Sequence, residues 1–250
     1  MAGVQGRAVV VTGAGRGLGL SHAVSFAAHG ARVIVNDVGA ARDGSGSDPS
    51  PAEEVVAEIV TAGGQAVAAQ HDVSTPSGGA AIIQTAVDAF GQVDVIVNNA
   101  GILRDAAFHK MTPEHWEAVR RVHLDGSFHV TSAAWPHLRK QGFGRVVMTS
   151  SGAGIYGNFA QANYGAAKLG MIGLMNVLAI EGARFGITVN SIAPVAATRM
   201  TDGLVATSAS PDELDPAWIS PIVVWLASEE CALTGEIVRA RGGHYAHPLP

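Results

Sequence analysis

Tyr164 and Lys168 stand four residues apart in the run Tyr-Gly-Ala-Ala-Lys, and Ser151 lies thirteen residues upstream of the tyrosine. On a helix that spacing places phenol and ammonium on one face, where the positive charge favours the ionised phenol. A tyrosine held this way becomes a usable base at neutral pH. Taken alone, the same pair also reads as a half-buried aromatic beside a solvated charge. The rest of the chain has to decide between the two.

Near the amino terminus an apolar run, 7–12, gives way to Thr12-Gly13-Ala14-Gly15-Arg16-Gly17-Leu18-Gly19 and then to an amphipathic segment reaching His29. Glycines at a strand-to-helix turn let the backbone approach a pyrophosphate, whose charge is received by the amides and positive end of the helix. The next apolar run, 31–36, ends in Asp37, at the distance expected of a ribose ligand. A carboxylate there accepts from the 2′-hydroxyl of adenosine and repels a 2′-phosphate, which favours NAD over NADP. Arg16 pulls mildly the other way, because a cation in the glycine loop could meet that phosphate.

These segments resemble the short-chain dehydrogenase/reductase family. Its Thr-Gly-x-x-x-Gly-x-Gly pattern matches Thr12, Gly13, Gly17 and Gly19, its Asn-Asn-Ala-Gly element is Asn98 to Gly101, and its Ser and Tyr-x-x-x-Lys are Ser151, Tyr164 and Lys168. The resemblance implies a cofactor site built from Gly13, Arg16, Gly17, Leu18, Gly19 and Asp37, with Asp72 and Val73 beside the adenine. Asn99, Ala100 and Gly101 would line the cofactor wall, and Pro194 and Thr198 would contact the nicotinamide carboxamide. Tyr164 would exchange a proton with the substrate hydroxyl, Lys168 would support the phenolate and hold the nicotinamide ribose, and Ser151 would donate to the substrate oxygen. Read as a residue, Asp72 is equally a turn or helix cap.

Two positions depart from the family pattern. His123 stands where the family usually carries an Asn that kinks a helix and holds a water on the lysine; an imidazole can relay protons there, or simply pack. Val195 replaces a Gly and so lacks its freedom at positive φ. The segments Asn98 to Asp105, Val122 to Phe128, Met148 to Ser151 and Gly154 to Phe159 resemble one subgroup, the (3R)-hydroxyacyl-CoA dehydrogenase domains of peroxisomal multifunctional enzymes, also described as 17β-hydroxysteroid dehydrogenases. The subgroup's hydratase and sterol-carrier portions and a peroxisomal tripeptide are not present in this sequence, so a stand-alone dehydrogenase is expected.

Positioning these residues requires a particular scaffold. Apolar runs near 7–12, 31–36, 65–70, 93–98, 144–150, 187–192 and 235–240 alternate with helical patterns, which predicts an α/β, Rossmann-like doubly wound sheet of seven parallel strands with helices on both faces. One domain spans 1–250, with a mobile loop at 39–51 and a polar, small-residue stretch near 200–218 suited to a substrate lid. A formal charge of −5 offers no basic footprint for nucleic acid, and Cys231, the one cysteine, excludes an internal disulfide. His244 and His247 lack a third metal ligand nearby. No apolar run approaches the roughly 20 residues of a membrane span, and no charged leader precedes the first strand, so a cytoplasmic protein is expected. Family resemblance implies a homodimer or homotetramer. The leading expectation is NAD-linked oxidation of a 3-hydroxyacyl-CoA. NADPH-dependent reduction of a 3-oxoacyl-carrier protein or small carbonyl, or a non-catalytic dinucleotide-binding protein, are the alternatives.

Overall fold

The computed structural model describes residues 3–197 and 214–247. Five short valine-rich and isoleucine-rich runs form the centre of the sheet: β1 (Ala8–Thr12), β2 (Arg32–Asn36), β4 (Val95–Asn98), β5 (Gly144–Thr149) and β6 (Ile187–Val195). β3 (Gln65–Ala69), β7 (Ile237–Arg241) and β8 (His244–Ala246) complete it, in the order β3-β2-β1-β4-β5-β6-β7-β8. Every residue of β1, β4 and β5 is buried. Strands so uniformly buried need cover on both faces, as a parallel sheet between helical layers supplies.

Alternation along the strands divides that cover. Val9, Val11, Val33 and Val35 face one layer, built from α1 (Gly17–Ala28), α2 (Ser50–Thr61) and α8 (Ser220–Leu226). Val10, Ile34 and Ile96 face the other, built from α3 (Pro76–Phe90), α5 (Gly126–Gln141) and α7 (Ala162–Gly182). α4 (Pro113–Arg120) and the short α6 (Gly152–Tyr156) lean on the start of α7. Local signals fix the helix ends: Thr75 caps α3 by accepting from the Gly78 amide, Pro76 follows at the first position, and Gly91 closes it at φ +76°.

Seven of the strands run parallel, as the sequence predicts, and β8 adds an antiparallel edge to β7. The turn between them is Gly242-Gly243, both at positive φ, the chemistry of a tight hairpin. Three exposed residues without alternation leave no periodic signal for so short a strand.

Two other expectations change. α7 and the turn after it, Ala162–Phe185, are long and apolar enough to cross a membrane by length and composition, although the sequence suggests no such run. In the fold this helix packs on β6 and α6, with Met171, Met175 and Ala179 buried in the core. The loop after Asp37 is expected to be mobile, yet it folds back on the chain leaving β4: the Leu103 amide donates to the Arg42 carbonyl at 2.9 Å and Arg104 Nε donates to the Asp43 carbonyl at 2.8 Å. Within the loop, Ala41 and Gly44 close a turn with Ser45, and Asp43 accepts from the Ser45 amide and hydroxyl.

Candidate active site

β2 and β4 flank β1, and the chain leaves them in opposite directions, so a crevice opens beyond their carboxyl ends. A cavity of about 640 Å³ occupies it. Gly13, Arg16, Gly17, Leu18, Asp37, Asp72 and Val73 line one part, and Asn99, Ala100, Gly101 and Pro194 the middle. His123, Ser151, Tyr164 and Lys168 line the remainder. Gly19 sits behind the wall, where a Cβ would stand 2.1 Å from the Gly13 carbonyl oxygen, so it serves the crossing of α1 over the loop. Thr198 and most of the expected lid, 200–213, lie outside the described residues.

The glycine turn has the form a pyrophosphate needs. Gly13 and Gly17 adopt φ of +64° and +57°, and a Cβ on Gly13 would meet the Ala100 Cα at 2.7 Å. Arg16, at the N-cap of α1, provides no side-chain cap, so the first amides of that helix face the cavity uncapped by protein side chains. Thr12 and Asn99, a pair whose mutual role the sequence does not reveal, hold the turn against β4. The Thr12 hydroxyl accepts from the Asn99 and Ala100 amides, and the Asn99 amide group donates to the Thr12 and Gly13 carbonyls.

Asp37 accepts from the Gly15 amide at 2.8 Å through one carboxylate oxygen and from the Gly39 amide at 2.7 Å through the other. Each oxygen keeps acceptor capacity for a ribose hydroxyl. Arg16 is exposed on the same rim; Asp48 is held below the usual carboxylate range by the Ser50 amide and hydroxyl, with a smaller contribution from Arg16. Asp72 turns its two oxygens to the Ser74 amide and hydroxyl, the turn-forming role open in the sequence, while remaining on the cavity wall. Val195 ends β6 in register with Arg241 of β7, so the segment runs as strand and the glycine freedom considered from sequence is not needed.

At the other end, Ser151 caps α6 by accepting from the Ala153 amide at 3.2 Å, and it lines the same cavity as the Tyr164 phenol. Asn163, unremarked in the sequence, accepts from the Tyr164 amide and donates to the Arg104 and His115 carbonyls, which sets the entry of α7. Lys168 is buried, its Nζ donates to the Thr149 carbonyl, and it lies 5.5 Å from the centroid of the Tyr164 ring. Ser150 turns away from Ser151 and donates to the Lys168 carbonyl, as strand alternation requires.

The helical pairing is therefore present, but its expected electrostatic outcome is not. Burial raises the Tyr164 phenol to about 12, against the lowering effect of Ser151, and burial brings Lys168 down to about 7. Desolvation is the largest influence on the phenol, with Asp105 also raising it, while Lys168 Nζ donates to the Thr149 carbonyl 5.5 Å from the ring centroid.

His123 lies in a π-helical turn, Arg121–Asp125, inserted between α4 and α5. The turn aims the imidazole inward, edge-on to Tyr164 with ring centroids 5.2 Å apart. Its Nε2 lies 3.0 Å from the Ile102 amide and 2.8 Å from the Ile102 carbonyl, so the tautomer decides which it engages. Its Nδ1 and the Thr149 hydroxyl are buried without hydrogen-bond partners among the described residues. Burial, then the nearby Lys168, hold His123 well below the ordinary histidine range. Gly101 leaves the ring its space: a Cβ there would stand 2.3 Å from Cε1.

Such a crevice can hold a dinucleotide along the glycine turn and a hydroxyl or carbonyl group against Ser151 and Tyr164. The short chain dehydrogenase family model matches residues 7–209. The chain belongs to the short-chain dehydrogenase family. Enzymes of this family act on CH–OH groups and use NAD or NADP. A short-chain type dehydrogenase/reductase of Mycobacterium tuberculosis is 53% identical over 97% of this chain and 85% of its own length. Peroxisomal multifunctional enzyme type 2 of Mus musculus is 50% identical over 95% of this chain, which spans 32% of that enzyme. A crystal structure of a short chain dehydrogenase from Mycobacterium avium superposes with a TM-score of 0.88 at 46% identity, covering 99% of this chain and 86% of the other.

Proposed function

We propose that this short-chain dehydrogenase oxidises the secondary hydroxyl of a 3-hydroxyacyl-CoA to the ketone with NAD, acting in the cytoplasm as a homo-oligomer. One observation carries the reading: a single cavity joins the glycine turn and Asp37 at one end to Ser151, Tyr164 and Lys168 at the other. The substrate class rests on the resemblance to hydroxyacyl-CoA dehydrogenase domains, together with the 50% identity to the mouse multifunctional enzyme.

The residues that fit the nucleotide are the α1 amides and glycine turn for its pyrophosphate, Asp37 for the adenosine ribose and Lys168 for the nicotinamide ribose. Bound NAD supplies the hydride acceptor. Ser151 donates to the substrate oxygen and fixes it beside the phenol. Tyr164, in its ionised form, takes the hydroxyl proton while the carbinol hydride departs, and the C–O single bond becomes the carbonyl. Lys168 is the cation within reach of the ring and supports the phenolate. Because burial raises the phenol to about 12 and brings the Lys168 ammonium down to about 7 without nucleotide, rising pH favours the phenolate while discharging the cation that supports it. His123 engages the Ile102 peptide through Nε2 and meets the edge of the Tyr164 ring, so in this reading it positions the phenol, and its unpartnered Nδ1 is the atom left for a proton relay.

NAD is favoured because Asp37 stands at the ribose position, where a carboxylate accepts from a 2′-hydroxyl and repels a 2′-phosphate. Arg16 nevertheless supports a second reading, NADPH-dependent reduction of a 3-oxoacyl-carrier protein or small ketone. Subunit association is supported by Leu169, Val177 and Ile180, which expose an apolar stripe along α7. Initial rates with NAD and with NADP on (3R)-hydroxyacyl-CoA esters of graded length test the reading. NAD-linked turnover on a thioester supports it. Turnover confined to NADP overturns the role of Asp37, and silence with both favours free alcohols as substrates or a non-catalytic nucleotide binder.

A further inference from the structure

The loop 38–49 begins at the end of β2 and is bonded to the chain leaving β4, while β1 and its glycine turn lie between those strands. It therefore crosses the mouth of the crevice. Three contacts latch its far side: the Leu103 amide to the Arg42 carbonyl, Arg104 Nε to the Asp43 carbonyl, and Gly44 against the Ile102 side chain, close enough that a Cβ would be 2.9 Å from Cδ1. The near side is anchored by the Gly39 amide on Asp37 and the Asp48 amide on the Val38 carbonyl. Arg42, Gly44 and Gly46 of the loop line the same cavity as Gly13, Asp37 and Arg104.

We propose that this loop is a strap forming an additional wall of the dinucleotide site, with Arg42 and Arg104 as its cations for the nucleotide's phosphates and its latch on Ile102–Arg104 controlling nucleotide release. A bound dinucleotide laid along the glycine turn passes beneath the strap. Two guanidinium groups on the wall above it add positive charge opposite the uncapped amides of α1. The latch also ends on the peptide that His123 engages, so the wall over the nucleotide and the residue beside Tyr164 share one short segment. Opening the strap requires breaking the Arg42 and Arg104 bonds, which makes departure slower than from an open groove.

The inference needs only the dinucleotide half of the proposed function, and its test uses no thioester. NADH and NADPH release is measured by stopped-flow fluorescence for the wild-type chain, for R104A, and for a variant in which residues 40–46 are replaced by two glycines, with thermal unfolding recorded for each. The strap predicts faster release of whichever nucleotide binds: roughly fivefold for R104A, the loss of about one hydrogen bond, and more for the shortened strap. R104K, which keeps the charge but not the planar fork, should fall between wild type and R104A. Release within twofold of wild type in both R104A and the shortened variant overturns the proposal, as does weaker binding caused only by slower association. If the shortened variant does not fold, R104A and R104K decide alone. A failed thioester assay with altered release rates would sink the substrate reading and leave the strap standing.

Discussion

Two histidines are buried among the described residues, and they differ in what surrounds them. His22 lies in the seam between α1 and α8, away from the cavity, with Nδ1 2.9 Å from the Ser220 hydroxyl and Nε2 without a partner among the described residues. His123 is equally buried, also with one orphaned nitrogen, and both are held far below the usual histidine range by desolvation. Burial and a depressed pKa are thus insufficient to mark a site. What separates His123 is its company: a π-helical turn, a facing glycine, a tyrosine edge and a buried lysine. Irregular backbone accumulates where chemistry needs side chains aimed, whereas His22 sits within an ordinary helix.

The comparison is open to direct attack. The largest difference is expected from Gly101→Ala, which must displace the His123 ring: turnover should fall roughly a hundredfold, since small misplacements at a reacting centre cost that much. Rates close to wild type would show that the ring's position does not matter to the reaction. Next, His123→Ala should lower kcat by about tenfold or more and reshape its pH profile, within the range of general acid–base contributions. His22→Ala should leave kcat untouched and cost about 2 kcal/mol in urea unfolding, as a buried cavity with a lost hydrogen bond. If the two variants changed activity alike, the distinction between seam and site would be wrong.

Stability against pH gives a subtler separation. His22 titrates near 6.5 when unfolded and near 3 when folded, so its contribution is present above pH 6.5 and disappears as pH falls toward 3. Lys168, near 10.5 unfolded and about 7 folded, makes stability rise with pH across that interval. Tyr164 acts oppositely, its stabilisation being lost as pH climbs from 10 to about 12. Without nucleotide, melting curves should show His22→Ala flattening only the acid limb and Lys168→Met only the limb between pH 7 and 10.5.

Much of the site was legible because its demands on the chain are local. Glycines at a strand-to-helix turn, an acid at the next strand end and a tyrosine four residues before a lysine each encode geometry over a single helical turn or strand. Asp37, Tyr164 and Lys168 around one cavity follow from those spacings and from the alternation of strands and helices, whereas Ser151 and His123 are legible only through the family resemblance. What stayed hidden depends on contacts distant in sequence. The strap folds because Arg104 meets Asp43 across 61 residues, and polar composition alone reads as a mobile loop. The elevated phenol of Tyr164 depends on how much protein surrounds it and on Asp105 nearby, neither of which a four-residue spacing reports. Asn163 is hidden for the same reason, since its carbonyl partners, on Arg104 and His115, come from other segments.

The central claim is that Tyr164 moves the substrate's proton within this cavity, and Tyr164→Phe tests it most directly. NADH binding by fluorescence titration and NAD-linked thioester oxidation would be measured on the same preparation. The account predicts a dissociation constant within about twofold of wild type and turnover reduced by roughly a thousandfold, the scale of a lost general base. Turnover within tenfold of wild type, with nucleotide binding intact, would contradict it.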